Sequence, residues 1–296
     1  MKKTNKRKIA LIGANGQLAT DILKIAKEKK SFIFFPLTHT DIEISNPKSV
    51  EKTLNYIAPD IILNAAAYNR VEIAEANLKP AFLVNAFATK YLANYTKQKD
   101  CVLVHISTDY VFGLDEERNI PYREIDPPGP VNIYGLSKLT GEYFVQQACS
   151  KYFIIRSSGL FGTAQSSSKG YNLVELMLKL AREKGKVRVV NDQITAPTYT
   201  LDLARQILTI LEKAPFGLYH ATAQGQCSHY EFAKEIFRLT NQPVDLKAVT
   251  SKEFGAIARR PHYSVLSNEK LKKHGLYLML KWRDGLKAYL KEKGYI

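Results

Sequence analysis

Residues 8–19 read KIALIGANGQLA, an apolar run followed by a glycine-containing turn and then by an amphipathic stretch. This order predicts a strand, a tight turn and a helix. Gly13 permits the turn, and Gly16 lets the backbone approach a pyrophosphate, which the free N–H groups and the dipole of the helix amino end attract. The stretch therefore predicts the first unit of a dinucleotide-binding fold.

Further apolar runs follow at intervals that leave room for helices between them. They cover residues 32–37, 61–67, 102–106 and 151–156. Such alternation predicts an α/β fold with a Rossmann-like, doubly wound parallel sheet. We expect an NAD(P)-binding domain over residues 1–160 and a smaller mixed α/β substrate lobe over residues 161–296, with some later segments returning to the first domain. Within the second part, the composition of residues 163–170 predicts a loop.

The composition of the 296-residue chain fits a soluble α/β protein. Its 45% hydrophobic content is enough for a substantial core. The three cysteines are widely spaced and form no Cys/His cluster, which argues against a disulfide scaffold and a zinc site. The basic start precedes an apolar stretch that ends too early for a signal peptide, and no run is long enough for a membrane span. We expect a cytoplasmic protein without membrane contact.

The formal net charge of +15 requires an explanation. The lysines are spread over predicted helices, and no basic-aromatic module of a known nucleic-acid-binding kind is present. We therefore expect no nucleic-acid partner. A positive field instead suits an anionic cofactor and a doubly anionic substrate.

A candidate acid/base pair follows the apolar run at residues 102–106. That run leads into Ser107, Thr108 and Asp109, and Tyr134 and Lys138 come later at a four-residue spacing. On a helix this spacing places both side chains on one face, where a cation favours phenolate and lowers the phenol pKa from about 10. A surface pair is the alternative interpretation, but the position downstream of a nucleotide-binding motif favours catalysis.

The end of the second predicted strand bears on the choice of cofactor. NAD-specific sites commonly carry an acid there, which binds the adenosine ribose. This chain has Thr38, His39 and Thr40, so nothing at these positions repels a 2′-phosphate. NADPH is favoured, while Asp41 and Glu43 lie close enough to keep NADH open.

Taken together, these motifs resemble the extended short-chain dehydrogenase/reductase superfamily and, within it, the dTDP-4-dehydrorhamnose reductase family. The resemblance covers nearly the whole chain. Beyond the glycine turn it rests on residues 64–68, 107–112, 132–138, 191–193, 196–198 and 259–261. The Asp-Gln, Pro-Thr and Arg-Pro elements of the carboxyl-terminal part are the family-level signals.

The resemblance implies reduction of the C4 ketone of dTDP-4-dehydro-L-rhamnose to dTDP-L-rhamnose by NAD(P)H, for cell-surface polysaccharide. Tyr134 would give its proton to the ketone oxygen, Thr108 would hydrogen-bond the same oxygen, and Lys138 would lower the phenol pKa and hold the nicotinamide ribose. Family members can carry Mg²⁺ at a dimer interface. We match no such ligands here and expect no metal, while a homodimer is compatible with the resemblance.

The same resemblance implies three sets of site residues. The catalytic residues are Thr108, Tyr134 and Lys138. The cofactor contacts are Gly13, Asn15, Gly16, Gln17, Leu18, Thr38, Glu43, Ile44, Ala65, Ala66, Ala67, Tyr68, Asn85, Tyr134 and Lys138. The contacts with the nucleotide-sugar substrate are Thr108, Asp109, Tyr110, Asn191, Gln193, Thr198 and Arg260.

Two alternatives share the expected fold. One is a non-catalytic NADP-binding subunit, like the regulatory subunit of methionine adenosyltransferase, but such a relative need not keep Thr108, Tyr134 and Lys138 together. The other is a sugar-nucleotide epimerase or dehydratase, which recycles a tightly bound NAD. The missing acid after the second strand and the carboxyl-terminal family signals count against that reading.

Overall fold

The structure, a computed structural model, describes residues 6–164 and 170–296. Most of the predicted loop at residues 163–170 lies outside the described residues. The strands are β1 (Arg7–Ile12), β2 (Phe32–Leu37), β3 (Ile61–Asn64), β4 (Val102–Thr108), β5 (Tyr152–Ser157), β6 (Leu160–Phe161), β7 (Lys186–Val190), β8 (Ile194–Thr195), β9 (Thr198–Tyr199), β10 (Gly217–His220), β11 (Cys227–Ser228) and β12 (Asp245–Val249).

Helices lie between and after these strands. They are α1 (Gln17–Ala26), α2 (Pro47–Ile57), α3 (Val71–Ala76), α4 (Leu78–Phe82), α5 (Ala88–Lys99), α6 (Ile133–Ala148), α7 (Leu173–Lys184), α8 (Thr200–Lys213), α9 (His229–Thr240), α10 (Ser251–Phe254), α11 (Glu269–Lys273) and α12 (Trp282–Glu292). Within residues 6–164 and 170–296, no helix is both long and apolar enough to cross a membrane.

The central sheet has six strands in the order β2-β1-β3-β4-β5-β10. Every pair in it is parallel. Ile12 pairs with Leu37 on one side and with Asn64 on the other, so the strands end at one edge. The strand order reverses between β1 and β3, and a ligand crevice forms outside the carboxyl ends at such a point. The predicted doubly wound parallel sheet is confirmed.

Both faces of the sheet are covered, which explains why its strands are apolar without alternation. Ile9 and Leu11 of β1 belong to the hydrophobic cluster that includes Ile207 of α8. Ile12 belongs to a second cluster, on the other face, which includes Leu54 of α2. The sheet therefore forms the middle layer of three.

The smaller lobe contains three two-stranded sheets, formed by β7 with β12, β8 with β11, and β6 with β9. With the helices around them, these pairs form a mixed α/β arrangement, while the division of the chain into two domains stays a prediction. β10, which follows this lobe's first strands in the chain, pairs with β5 at the edge of the main sheet. A later segment thus returns to the first domain, while the boundary at residue 160 stays a prediction.

Helix starts follow local sequence signals in several places. Asn46 caps α2, accepting hydrogen bonds from two backbone N–H groups, and Pro47 is the first helical residue. The Asn77 side chain accepts the Lys79 N–H at the start of α4. Between α4 and α5, residues Leu83–Phe87 form a π-helical turn. Such turns often occur at functional sites, and this one packs against α6.

The close packing of α6 against this π-helical turn gives a test of the fold. A Cβ atom added at Gly141 of α6 would overlap the backbone oxygen of Asn85. We expect Gly141→Ala to lower the free energy of unfolding by about 1–3 kcal/mol, because α6 must move away from the turn. Helix propensity alone would change the free energy of unfolding in the opposite direction, because alanine favours a helix over glycine by up to about 1 kcal/mol.

Urea unfolding checks this prediction. Gln146→Ala is the control, because Gln146 is exposed on the same helix and should change stability by less than about 0.5 kcal/mol. A Gly141→Ala protein more stable than the wild type would contradict the close approach.

Candidate active site

Thr108 and Tyr134 meet at the carboxyl edge of the sheet. Thr108 is the last residue of β4, and Tyr134 lies in the first turn of α6, whose N-cap Asn132 accepts the Gly135 N–H at 2.8 Å. The Tyr134 phenol lies close enough to the Thr108 side chain for the threonine to lower the phenol pKa. The Tyr134 ring also meets the edge of the Tyr110 ring, with 5.8 Å between centroids. The strand end thus holds a hydroxyl directly beside the phenol.

The proton affinity of Tyr134 is set mainly by burial. Burial raises the pKa of this phenol above its ordinary value, the Thr108 hydrogen bond lowers it in part, and Asp109 and Tyr110 raise it further. The Lys138 amino group faces β4, so its predicted lowering of the phenol pKa stays a prediction. The phenol stays protonated near neutral pH, which suits a proton donor.

Lys138 is almost completely buried, with 1% of its surface exposed. Its Nζ donates to the Ile106 carbonyl oxygen at 2.6 Å and lies 3.3 Å from His105 Nε2. Burial lowers the pKa of Lys138 to about 8, although the Glu142 carboxylate acts to raise it. The lysine therefore changes charge close to neutral pH.

A buried ion pair lies one helical turn beyond Lys138. Glu142 accepts a 2.6 Å contact from Arg156 of β5 and a 2.5 Å hydrogen bond from Ser107 of β4. The Glu142 and Arg156 side chains are 1% and 4% exposed, so the pair is screened little by water. Sequence reasoning missed this pair. The four-residue spacing from Lys138 to Glu142 was the available signal.

Asp109 joins the end of β4 to the smaller lobe. Its carboxylate accepts hydrogen bonds from Ser264 at 2.6 Å, Thr108 at 3.1 Å and Thr195 of β8 at 3.3 Å. Burial raises the pKa of Asp109 to about 6, while these hydroxyl donors lower it in part. Asp109 was expected to contact the substrate, and here its oxygens hold the two parts of the protein together around Thr108.

The predicted glycine turn has the geometry that a dinucleotide requires. Gly13 has φ +81°, and a Cβ atom there would lie 2.9 Å from the Ala66 backbone nitrogen. Only glycine therefore fits where the turn crosses the end of β3. Gly16 precedes α1 and has no side chain to cap it, so N–H groups at the helix start remain for an anion. The turn fits the pyrophosphate of NADPH.

The remaining predicted residues of the glycine turn differ in their exposure and contacts. Asn15 is exposed at the tip of the turn. Gln17 accepts the Gly162 N–H at 2.8 Å through its side chain, and the Leu18 side chain is buried in the core. Gln17 and Leu18 thus belong to the helix start through their backbone, while their side chains stabilise the fold.

The acids after β2 are hydrogen-bonded within their own turns. Asp41 accepts the Thr38 N–H at 2.8 Å and the Thr38 hydroxyl at 2.7 Å. These two bonds lower the pKa of Asp41. Glu43 accepts the Ser45 N–H at 2.9 Å, and the Ile44 side chain is buried in the core. Thr38, Glu43 and Ile44 therefore shape the strand end mainly through contacts within the protein.

At the end of β3, Asn85 acts on the backbone. Its Oδ1 accepts the Tyr68 N–H at 2.9 Å, and its Nδ2 donates to the Tyr68 oxygen at 3.0 Å and to Ser137 Oγ at 2.9 Å. The expected contact of the Asn85 side chain with the cofactor is thus replaced by one that holds Tyr68. Ala65 and Ala66 are half-buried and Ala67 is exposed at this edge.

The four substrate contacts expected in the smaller lobe divide into two groups. The side chains of Gln193 and Thr198 are bonded within the protein, Gln193 to Ser251 at 2.8 Å and Thr198 to the Ala223 N–H at 3.1 Å. Asn191 is exposed after β7. Thr198 is fully buried, and the predicted contacts of these residues with the substrate stay predictions.

Arg260, the fourth of these residues, does reach the catalytic end of β4. It forms an ion pair with Glu72 of α3 at 2.6 Å and lies close enough to Tyr110 for its charge to lower the pKa of that phenol, which burial raises. Glu72 also accepts the Ala258 N–H at 2.9 Å. The structure therefore brings Thr108, Asp109, Tyr110, Tyr134 and Arg260 together, and Glu72 is a further residue that the sequence reasoning did not assign.

The fold and this site define a class of protein. A doubly wound sheet, a glycine turn after its first strand, and a Tyr-x-x-x-Lys helix beside a hydroxyl at the end of β4 are typical of short-chain dehydrogenases/reductases. The family model described as RmlD substrate binding domain matches residues 7–294, and the chain belongs to that family.

Three similar proteins span almost the whole chain. The spore coat polysaccharide biosynthesis protein SpsK of Bacillus subtilis (strain 168) is 37% identical over 97% of this chain and 98% of its own length. The dTDP-4-dehydrorhamnose reductase of Escherichia coli (strain K12) is 35% identical over 96% of this chain and 97% of its own. The crystal structure of dTDP-4-dehydrorhamnose reductase from Bacillus anthracis str. Ames with NADP has a TM-score of 0.91, 36% identity, and coverage of 97% and 100%.

The raised pKa of Asp109 predicts a specific pH dependence of stability. Its folded-state value of about 6 lies above the ordinary 3.8, so the native protein binds more protons than the unfolded chain between these values. Stability from this group is therefore lost as the pH rises from about 4 to about 6. We expect the wild type to lose roughly 3 kcal/mol relative to Asp109→Asn over that range.

Urea unfolding of both proteins between about pH 4 and 7 measures this difference. Asp126→Asn is the matched control: burial acts to raise the pKa of Asp126, but hydrogen bonds from Arg123 and Arg118 lower it overall. Its stabilising contribution should therefore be lost as the pH falls, with the opposite sign. A pH-independent difference between the wild type and Asp109→Asn would refute the buried-carboxylate interpretation.

Proposed function

We propose that this protein reduces the C4 ketone of a nucleotide-activated 4-keto-6-deoxy sugar with NADPH, and that the substrate is dTDP-4-dehydro-L-rhamnose. The observation that carries the proposal is the buried Tyr134 phenol, which lies beside Thr108 at the carboxyl edge of the sheet. Family membership supports it, as do the named activity of the Escherichia coli relative and the NADP complex of the Bacillus anthracis enzyme. The Bacillus subtilis relative's name points to polysaccharide biosynthesis.

The residues at the edge of β4 fit the proton half of this reduction. Bound NADPH would supply the hydride to the ketone carbon. Tyr134 donates its phenolic proton to the ketone oxygen as negative charge develops there. The Thr108 hydroxyl, which donates to Asp109 Oδ1 in this structure, would turn its hydrogen to the same ketone oxygen. Tyr134 then recovers a proton from solvent, so each turnover consumes one proton. The raised phenol pKa keeps the donor protonated between turnovers.

The nucleotide end of the substrate carries a diphosphate, and a cation beside the catalytic residues suits it. Arg260 is 24% exposed and lies between Glu72 and Tyr110. Its guanidinium has enough donors to keep Glu72 and bind a phosphate oxygen as well. The net charge of +15 would also raise the local concentration of an anionic substrate and cofactor.

We also propose that the protein works in the cytoplasm as a homodimer. Leu83, Phe87, Leu136 and Tyr143 are each more than 40% exposed on neighbouring helical segments, and an apolar surface of this kind suits a subunit contact. Sedimentation equilibrium would report the mass directly, and a monomer at micromolar concentration would reject the dimer.

The substrate proposal is tested by following NADPH oxidation with dTDP-4-dehydro-L-rhamnose and with CDP- and GDP-linked 4-keto sugars. We expect the dTDP sugar to give the highest kcat/KM. Faster turnover of another nucleotide sugar would keep the reaction but correct the substrate. Purified protein that carries bound NAD⁺ and shows no net oxidation would indicate the epimerase or dehydratase alternative, and NADPH binding without turnover would indicate the regulatory subunit.

Replacing the proton donor gives the sharpest mutational test. We expect Tyr134→Phe to lower kcat by roughly 10²–10⁴-fold while the NADPH dissociation constant stays nearly unchanged, because only the acid is lost. Tyr56→Phe is the control, since Tyr56 is an almost fully exposed tyrosine on α2, outside both the site and the proposed subunit contact. Near-normal turnover by Tyr134→Phe would reject the assignment.

A further inference from the structure

A row of buried polar side chains runs behind Lys138. Asn64, the last residue of β3, accepts the Ala66 N–H at 3.2 Å through Oδ1, and its Nδ2 lies 3.4 Å from His105 Nδ1. His105 Nε2 lies 3.3 Å from Lys138 Nζ, which donates to the Ile106 oxygen at 2.6 Å. The side chains of Asn64, His105 and Lys138 are each at most 1% exposed. Water therefore does not separate the three groups.

This row fixes where His105 carries its proton. The Ala66 N–H needs an acceptor, so the Asn64 oxygen faces Ala66 and the Asn64 amide nitrogen faces His105. His105 Nδ1 must then accept, and the neutral imidazole carries its hydrogen on Nε2. That N–H points at Lys138 Nζ. This N–H can donate a hydrogen bond to the lone pair of an uncharged amine, whereas it repels the hydrogens of an ammonium group.

The imidazole is enclosed on the side of α6. Gly141 lies over it, and a Cβ atom there would be 3.5 Å from His105 Nε2. Burial, together with the charge of Lys138, keeps the pKa of His105 well below its ordinary value, so the ring stays neutral. A neutral, enclosed ring with one fixed tautomer has a constant effect on the amine it faces.

The other titratable groups near Lys138 act in the opposite direction or at a greater distance. Glu142 on α6 favours the ammonium, but Arg156 of β5 neutralises much of its charge at 2.6 Å. Tyr134 precedes Lys138 by one turn, and Asp109 follows β4 beside Thr108. The group that directly contacts Nζ besides the Ile106 carbonyl is thus His105.

We propose that His105 is a positioning residue of the reduction: its imidazole, oriented by Asn64, holds the Lys138 amino group against β4 and favours its uncharged form. The effect of His105 on catalysis rests on the proposed function, whereas its effect on the Lys138 amino group does not. Each turnover takes one proton from solvent. Because Lys138 follows Tyr134 by one helical turn, the position and charge of its amino group affect how readily the phenol gives up and recovers that proton.

Two substitutions separate the two nitrogens of the ring. In His105→Gln the side-chain amide reaches the position of Nε2 and can turn its oxygen toward Lys138, which stabilises the ammonium. In His105→Asn the shorter amide keeps a partner for Asn64 but leaves nothing beside Lys138. Both variants remain polar and smaller than histidine, so neither overpacks the space under Gly141.

The first experiment uses the protein without ligands and so does not depend on the proposed function. Because the Lys138 pKa is lower in the folded than in the unfolded chain, stability rises between about pH 8 and 10 as the cost of the buried charge disappears. We expect this rise to begin about one pH unit higher in His105→Gln. In a Lys138→Met background, His105→Gln should leave the pH dependence unchanged.

Urea unfolding of the four proteins between about pH 7 and 10 measures this double-mutant cycle. Two results would overturn the proposal, because His105 would then not act through Lys138. In the first, stability rises over the same pH range in His105→Gln as in the wild type. In the second, His105→Gln changes the pH dependence of stability by as much in the Lys138→Met background as in the wild type.

The second experiment follows the reaction itself. We expect the basic limb of the pH profile of kcat/KM to move up by about one pH unit in His105→Gln. His105→Asn should lower kcat roughly tenfold with little change in KM, because Lys138 loses its lateral contact. If both variants keep the wild-type profile and kcat and change only the melting temperature, His105 is structural and the proposal fails.

The outcomes remain distinguishable. If His105→Asn does not fold, the shift in His105→Gln decides alone. If the wild-type protein reduces none of the sugars, the proposed function fails while the unfolding experiment still decides whether His105 sets the charge of Lys138.

Discussion

The site depends on how closely α6 lies against the sheet and the π-helical turn. Two glycines of α6 make this approach possible, because a Cβ atom at Gly135 would overlap the Tyr110 oxygen and one at Gly141 would overlap the Asn85 oxygen. At this separation Tyr134 reaches Thr108 and Lys138 reaches the Ile106 carbonyl. A larger side chain at either glycine would move the acid away from the strand end that orients the ketone.

The same close packing excludes water, and the loss of hydration changes the proton affinity of four ionisable groups at the end of β4 and on α6. Burial disfavours the charged form, so it raises the pKa of Tyr134 and Asp109 and lowers that of Lys138 and His105. One physical cause therefore yields a protonated phenol, a neutral imidazole and a lysine that titrates near neutral pH.

Two acids counter this desolvation with dedicated partners. Glu142 is fully ion-paired with Arg156, and removing one member of such a pair would leave an uncompensated buried charge, which typically costs about 3–5 kcal/mol. Asp109 has three hydroxyl donors from both parts of the protein. Because these donors come from β4, β8 and Ser264, the ionisation of Asp109 is coupled to the contact between the main sheet and the smaller lobe.

The sequence by itself determined the chain's architecture, because strand and helix periods, glycine turns and caps are local signals. Gly13, the apolar runs and the Tyr134–Lys138 spacing were sufficient for the doubly wound sheet and the acid. Side-chain direction was decided only by the tertiary structure. Asn85 and Thr198 were expected to contact ligands, yet in this structure the side chains of both accept hydrogen bonds from backbone N–H groups distant in the chain. The proton affinities were likewise beyond sequence reasoning, since they depend on desolvation and on partners such as His105 and Arg156 that meet Lys138 and Glu142 only when α6 packs against the sheet.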